Sequence, residues 1–181
     1  MSKKSENLEL LLDFGVDEKS RTIILTGDVD EDMLHNLEIG MYQLEKLADT
    51  MIFIRLNTGG GDVSYGLSII DRILTSKCET HIHASGEICS MGIPILAAGT
   101  VRSASPLTSF MWHESSYKVN DRHANNKNYV KYNEKLDDKI CRWMATRTKK
   151  DYKFWKALGV KQDYWFFADE AQDMGLIDEQ V

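Results

Sequence analysis

Ser90, His113 and Asp163 stand in that order along the chain and have the side chains that acyl transfer needs. Ser90 opens Ser90-Met91-Gly92 after a strand-like run, His113 closes the apolar run Phe110-Met111-Trp112, and Asp163 precedes Tyr164-Trp165-Phe166-Phe167. Attack on an amide or ester carbonyl requires a hydroxyl nucleophile, an imidazole to take its proton, and a carboxylate to hold the imidazole in the right tautomer. Two N–H donors must also face the developing oxyanion. The Met91 amide beside the serine and the loop Gly59-Gly60-Gly61 are the places that could supply them. Chemistry of this kind needs no cofactor, and none is expected in this chain.

Each of these residues also has a plainer reading. The glycine loop falls between a strand and a helix, where loops bind phosphate as well as oxyanions. It lacks the lysine and hydroxyl residue of a P-loop and is not G-x-G-x-x-G, so a tight turn competes with an anion site. Serine is a common helix N-cap, yet Gly86 before and Gly92 after Ser90 let the chain turn sharply and a carbonyl approach. The pattern is not the G-x-S-x-G elbow of α/β-hydrolases, because Gly86 lies four residues before Ser90 instead of two. His113 after an apolar run reads equally as a strand-end residue, and Asp163 is one of 28 acidic residues. His81 and His83 alternate on one strand face without a third ligand at suitable spacing, so a polar strand face is expected and no metal site.

The elements that must position these residues follow from hydrophobic periodicity. Residues 22–25 are β-branched and apolar and read as a buried strand ended by Gly27-Asp28. Asp30 or Asp32 then caps a helix whose Leu34, Leu37, Met41, Leu44 and Leu47 form one stripe. Residues 52–56 are a second strand, expected to be covered on both faces. A helix over 63–74, with Leu67, Ile70 and Leu74 on one side, leads to a third strand at 80–84. This alternation implies a largely parallel sheet with crossover helices. Residues 90–98 read as a short helix stopped by Gly99, with Pro94 in its first turn, and 100–103 and 109–113 as further strands. Beyond Asn120 the composition turns polar, and Leu136, Ile140, Trp143 and Met144 keep helical spacing. One long helix over about 121–149 is expected, with a stripe too narrow to be satisfied within one small domain.

The chain as a whole bounds the answer further. At 181 residues it is expected to form a single domain over 21–181 preceded by a flexible arm over 1–20. A formal charge of −6 argues against a nucleic-acid surface. Cys78, Cys89 and Cys141 are odd in number and free of C-x-x-C pairing, which fits a reducing cytoplasm rather than a disulfide framework. The run 8–12 is interrupted by Glu9 and is too short for an export signal or a membrane span.

Across residues 20–181 the chain resembles the proteolytic subunits of the Clp protease, serine peptidases of the crotonase-like superfold. The motifs that carry this resemblance are Asn57 with Gly60-Gly61-x-Val63-x-x-Gly66-Leu67 and Asp71, then Gly86-x-x-x-Ser90-Met91-Gly92 with Ala97-Ala98-Gly99, then Met111-x-His113. The last is Asp163-x-x-Phe166-x-Ala168-x-Glu170-Ala171-x-x-x-Gly175-Leu176-Ile177-Asp178. The resemblance implies an α/β fold of repeated ββα units with a long protruding handle helix over about 121–149. It implies Ser90 as nucleophile, His113 as general base and then acid, Asp163 as the group orienting the imidazole, and the Gly61 and Met91 amides as the oxyanion hole. It further implies an endopeptidase that cleaves peptides and unfolded proteins within a homo-oligomeric heptameric ring or double ring. An ATP-dependent unfoldase would feed it, so that ATP enters only through the partner. Three segments depart from the family pattern. Gly59 replaces the proline before the paired glycines, Glu114-Ser115-Ser116-Tyr117-Lys118 replaces a Gln-Pro and glycine strand, and Lys161-Gln162 replaces an Asp-Arg pair. The last two predict weaker pairing between rings. Two other readings stand beside this one: a crotonase-fold acyl-CoA enzyme, which Ser90 and His113 disfavour, and a non-catalytic ring subunit.

Overall fold

Three parallel strands carry the core. Strand β2 (Thr22–Thr26), β3 (Ile52–Thr58) and β4 (Thr80–Cys89) place Ile23, Ile54 and Ile82 side by side, all fully buried. The computed structural model describes residues 3–114, 123–160 and 162–181, with side chains from Asn7 in the first helix and from Lys127 in the fifth. Helices α2 (Glu31–Leu47) and α3 (Val63–Leu74) each begin on an aspartate cap: Asp30 accepts from Met33 N, and Asp62 from Ser64 and Tyr65 N. The buried stripe of α2 is Met33, Leu37, Met41 and Leu44, while Leu47 is exposed. In α3 the buried side is Gly66, Ile69, Ile70 and Ile73. Leu74, expected inside, is out because the helix turns its isoleucines rather than its leucines to the core.

The central strands are covered on one face, not two as expected. Along β3 burial alternates strictly, so Phe53 and Arg55 join Ile24 of β2 and the half-buried His81 and His83 of β4 on the other face. There His81 Nε2 and His83 Nδ1 meet the Ser103 hydroxyl at 2.8 and 3.0 Å, the polar strand face that the alternation predicts. The expected arm also proves to carry structure packed on the domain. Residues 3–14 form helix α1 (Lys3–Phe14), whose Leu10 and Phe14 pack on the core. Val16, fully buried, pairs with Ile23 as strand β1 (Val16–Asp17) extends the sheet antiparallel. An apolar cluster ending in Phe14 and Val16 gains more by burial against β2 than by solvation.

Strand β4 changes partners along its length. Its first half pairs with β5 (Val101–Ala104), and its last residues, Glu87 to Cys89, pair with β6 (Ser109–Trp112). Between these halves the register with β3 shifts: Leu56 faces Ala84, but Thr58 faces Ile88. The irregularity is braced by the Asn57 side chain, which accepts from Glu87 N at 3.2 Å. Such bulges bend a strand and re-aim its end. Here the bend delivers the end of β4 to the short helix α4 (Gly92–Ala97), whose first turn contains Pro94. The long helix α5 (His123–Arg147) lies within the expected 121–149, of which 121 and 122 fall outside the described residues. Residues 115–118 of the departing strand also lie outside them. Helix α6 (Tyr152–Ala157), strand β7 (Tyr164–Phe167) antiparallel to β6, helix α7 (Ala168–Asp173) and strand β8 (Glu179–Gln180) beside β5 complete the chain.

Candidate active site

Ser90 lies at the turn between β4 and α4 with φ +53°, a left-handed conformation uncommon for a residue with a side chain. It does not cap α4 as a serine in this position commonly does; the cap position is Met91, without a side-chain bond. Instead Ser90 N donates to Met111 O at 2.8 Å, which locks the turn to β6. Because β6 ends at Trp112, His113 follows directly, and its Nε2 lies 2.8 Å from Ser90 Oγ. The strand pairing is therefore what joins nucleophile and base.

The glycine loop closes over the serine. Gly60 N donates to Thr58 Oγ1 and Val29 N to Gly60 O, so the loop is held from both sides. Gly60, at φ +97°, approaches so closely that a Cβ there would lie 2.6 Å from Ser90 Cβ and 2.9 Å from Cys89 O. Only glycine fits. Gly61 and Met91 line the same cleft as Ser90 and His113, and among the described residues neither of their amides donates a backbone hydrogen bond outside the helices and strands. Two unclaimed N–H groups beside a hydroxyl–imidazole pair are the components of an oxyanion site.

Asp163 sits at the open end of the β6–β7 ladder. The pairs end at Trp112 with Tyr164, and His113 and Asp163 are the residues just beyond that last pair. Asp163 is nonetheless exposed, and among the described residues no hydrogen bond joins it to His113. The geometry unites Ser90, His113, Gly61 and Met91 and leaves Asp163 adjacent but unengaged.

Much of the remaining cleft wall is apolar, with Glu114, Asp137 and Lys156 as its charged members, and Trp155, Lys156 and Leu158 are among the residues in it that the sequence did not single out. Pro94, Ile140, Cys141, Trp155 and Leu158 line it together with Trp112. Trp155 is fully buried, edge-on to Trp112 at 4.9 Å, and its Nε1 donates to Thr148 Oγ1. Helix α6 folds back on α5, with Tyr152 donating to Asp138, and carries Trp155 and Leu158 to the cleft. Two thiols border the site, and both are kept protonated. Burial, reinforced by Glu87, pushes Cys89 up to about 12. Burial likewise pushes Cys141 up to about 11, with Lys156 opposing. Among the described residues no group of three His, Cys, Asp or Glu side chains could hold a metal ion, and no helix is long and apolar enough to cross a membrane.

The family model described as Clp protease matches residues 13–181. The ATP-dependent Clp protease proteolytic subunit of Bdellovibrio bacteriovorus is 32% identical over 173 residues, spanning 90% of this chain and 79% of that one. The protein of the same description from Streptococcus pyogenes serotype M5 is 28% identical over 170 residues, spanning 89% of this chain and 84% of its own.

Proposed function

The chain belongs to the Clp protease family, and from that premise we propose that it is a serine endopeptidase subunit with Ser90 as nucleophile. Ser90 Oγ attacks the peptide carbonyl while His113 Nε2 takes its proton. The carbonyl oxygen becomes an oxyanion facing the Gly61 and Met91 amides. As the tetrahedral intermediate collapses, His113 returns the proton to the departing amine and the acyl group stays on Ser90. Water, deprotonated by His113, then releases the acid and regenerates the hydroxyl. Asp163 has the role of holding the imidazole from its Nδ1 side. No step needs a cofactor in this subunit.

The observation that carries this reading is the 2.8 Å contact of Ser90 Oγ with His113 Nε2, made by a strained serine beside two unclaimed amides. Relatives described as ATP-dependent proteolytic subunits support a homo-oligomeric ring, heptameric and single or double, supplied with unfolded protein by an ATP-dependent unfoldase. The three free cysteines fit work in the cytoplasm. Intact-mass analysis after treatment with a fluorophosphonate tests the nucleophile. One adduct is expected on the wild type and none on Ser90→Ala, with peptide hydrolysis down about 10⁴-fold or more. Full activity of Ser90→Ala in a clean preparation would refute the assignment.

A further inference from the structure

We propose that Gly159 is a positioning residue for His113, a role that rests on the Ser90–His113 reading. Helix α6 closes at Leu158, in extended conformation, and Gly159 follows at φ +78°. A left-handed glycine after a helix is an ordinary stop signal, and asparagine serves nearly as well there. The surroundings of Gly159 demand more than a stop. A Cβ at this position would lie 2.8 Å from His113 Cα, 2.8 Å from Trp112 O and 3.2 Å from His113 N. All three are main-chain atoms, which cannot swing aside as the end of a flexible side chain can.

The far side of this segment is fixed as well. Met111 O accepts from Ser90 N at 2.8 Å, and His113 Nε2 meets Ser90 Oγ at 2.8 Å. The main chain of the general base therefore runs between the serine turn and the bare Cα of Gly159. Any side chain at position 159 must move either the loop after α6 or the segment that carries the imidazole. The same loop holds Leu158, which lines the cleft, and leads within a few residues to Asp163. Gly159 touches neither substrate nor reacting atoms, and its action runs through His113.

Gly159→Ala and Gly159→Asn test this, because asparagine tolerates positive φ but brings the same Cβ. Fractions of equal particle size are compared for the rate of fluorophosphonate capture at Ser90 and for kcat and KM on a short peptide. Both variants are expected to lose about 10- to 100-fold in capture rate and in kcat, with KM within about twofold, as for a small misplacement of a catalytic group. Gly175→Ala is the control. It is also left-handed, at φ +71°, with a Cβ 3.0 Å from Lys149 N, and it lies away from the cleft. It should lower Tm while Ser90 reacts at the wild-type rate. Wild-type capture in Gly159→Asn, an equal loss in Gly175→Ala, or failure of both Gly159 variants to fold where Gly175→Ala folds would overturn the positioning role. Absence of capture at Ser90 in the wild type would instead bring down the nucleophile assignment beneath it.

Discussion

Holding Ser90 at φ +53° costs about 1–2 kcal/mol for a residue with a Cβ, and the neighbourhood supplies what maintains it. Ser90 N is bonded to Met111 O and Ile93 N to Ser90 O, while Gly60 leaves room for the serine Cβ. The strain aims Oγ at His113 rather than at the amides of α4. The neighbouring thiols do not compete, since Cys89 at about 12 and Cys141 at about 11 hold almost no thiolate at neutral pH. Asp163 is the residue whose part is least fixed by the geometry, lying just beyond the last β6–β7 pair, as His113 does, yet unbonded to it. If it orients the imidazole during turnover, Asp163→Asn should lower kcat on a short peptide by about 10²- to 10⁴-fold, and adding it to His113→Ala should change little more. Steady-state kinetics of the two single variants and the double variant decides this. Fully additive losses would separate Asp163 from the catalytic unit.

At the scale of elements, the site depends on strands that end in the right place and on helices that hold them there. Helices α2 and α3 are clamped by Arg72, which meets Glu38 and makes a paired contact with Glu45, whose carboxylate also accepts from Ser76. Burial alone would raise the Glu45 carboxyl, but hydrogen bonds from Arg72 and Ser76 and the Arg72 charge outweigh it and leave the group below its ordinary value. The folded chain therefore binds this proton less readily than the unfolded chain does. The stabilisation is complete above the ordinary glutamate range near about 4.3 and fades as pH falls through that range and below it. Glu45→Gln should lower Tm by a few degrees at pH 7, about 1–3 kcal/mol for a hydrogen-bonded charge, and the gap should close towards pH 3. Thermal melts across that range test it; a gap independent of pH would show that charge is not what matters. The apolar runs of β2, β3 and β4 and the aspartate before α2 were readable in the sequence because each is local. The partner switch of β4, the fold-back of α6 and the contact of Gly159 with His113 were not, since they join segments far apart in the chain. Nor could alternation alone tell that one sheet face would stay uncovered, because Ile24 and Phe53 are as apolar as their buried neighbours.

For the whole molecule the informative feature is what the domain leaves unburied. Helix α5 is anchored at its C-terminal half by Ile140, Cys141 and Met144, whereas none of residues 127–135 is buried and Tyr132 is 59% exposed. A helix this polar gains stability from packing more than from propensity, so the exposed half is suited to a neighbouring subunit. The contacts available to it are mostly charged and hydroxylic, through Lys127, Lys131, Glu134, Lys135 and Tyr132. Exposed polar contacts of that type are individually weak and screened by salt. Such an assembly would bear on catalysis through Asp163, which is exposed and has no hydrogen bond to His113 in the single chain, so that a neighbour can complete its engagement. We expect dilution or moderate salt to reduce particle size and peptidase activity together, because the lone chain leaves Asp163 without a hydrogen bond to His113. Mass photometry beside a peptidase assay over a concentration series measures both quantities on one sample. Parallel curves would tie catalytic order to assembly, and a monomer fully active at every concentration would break that tie.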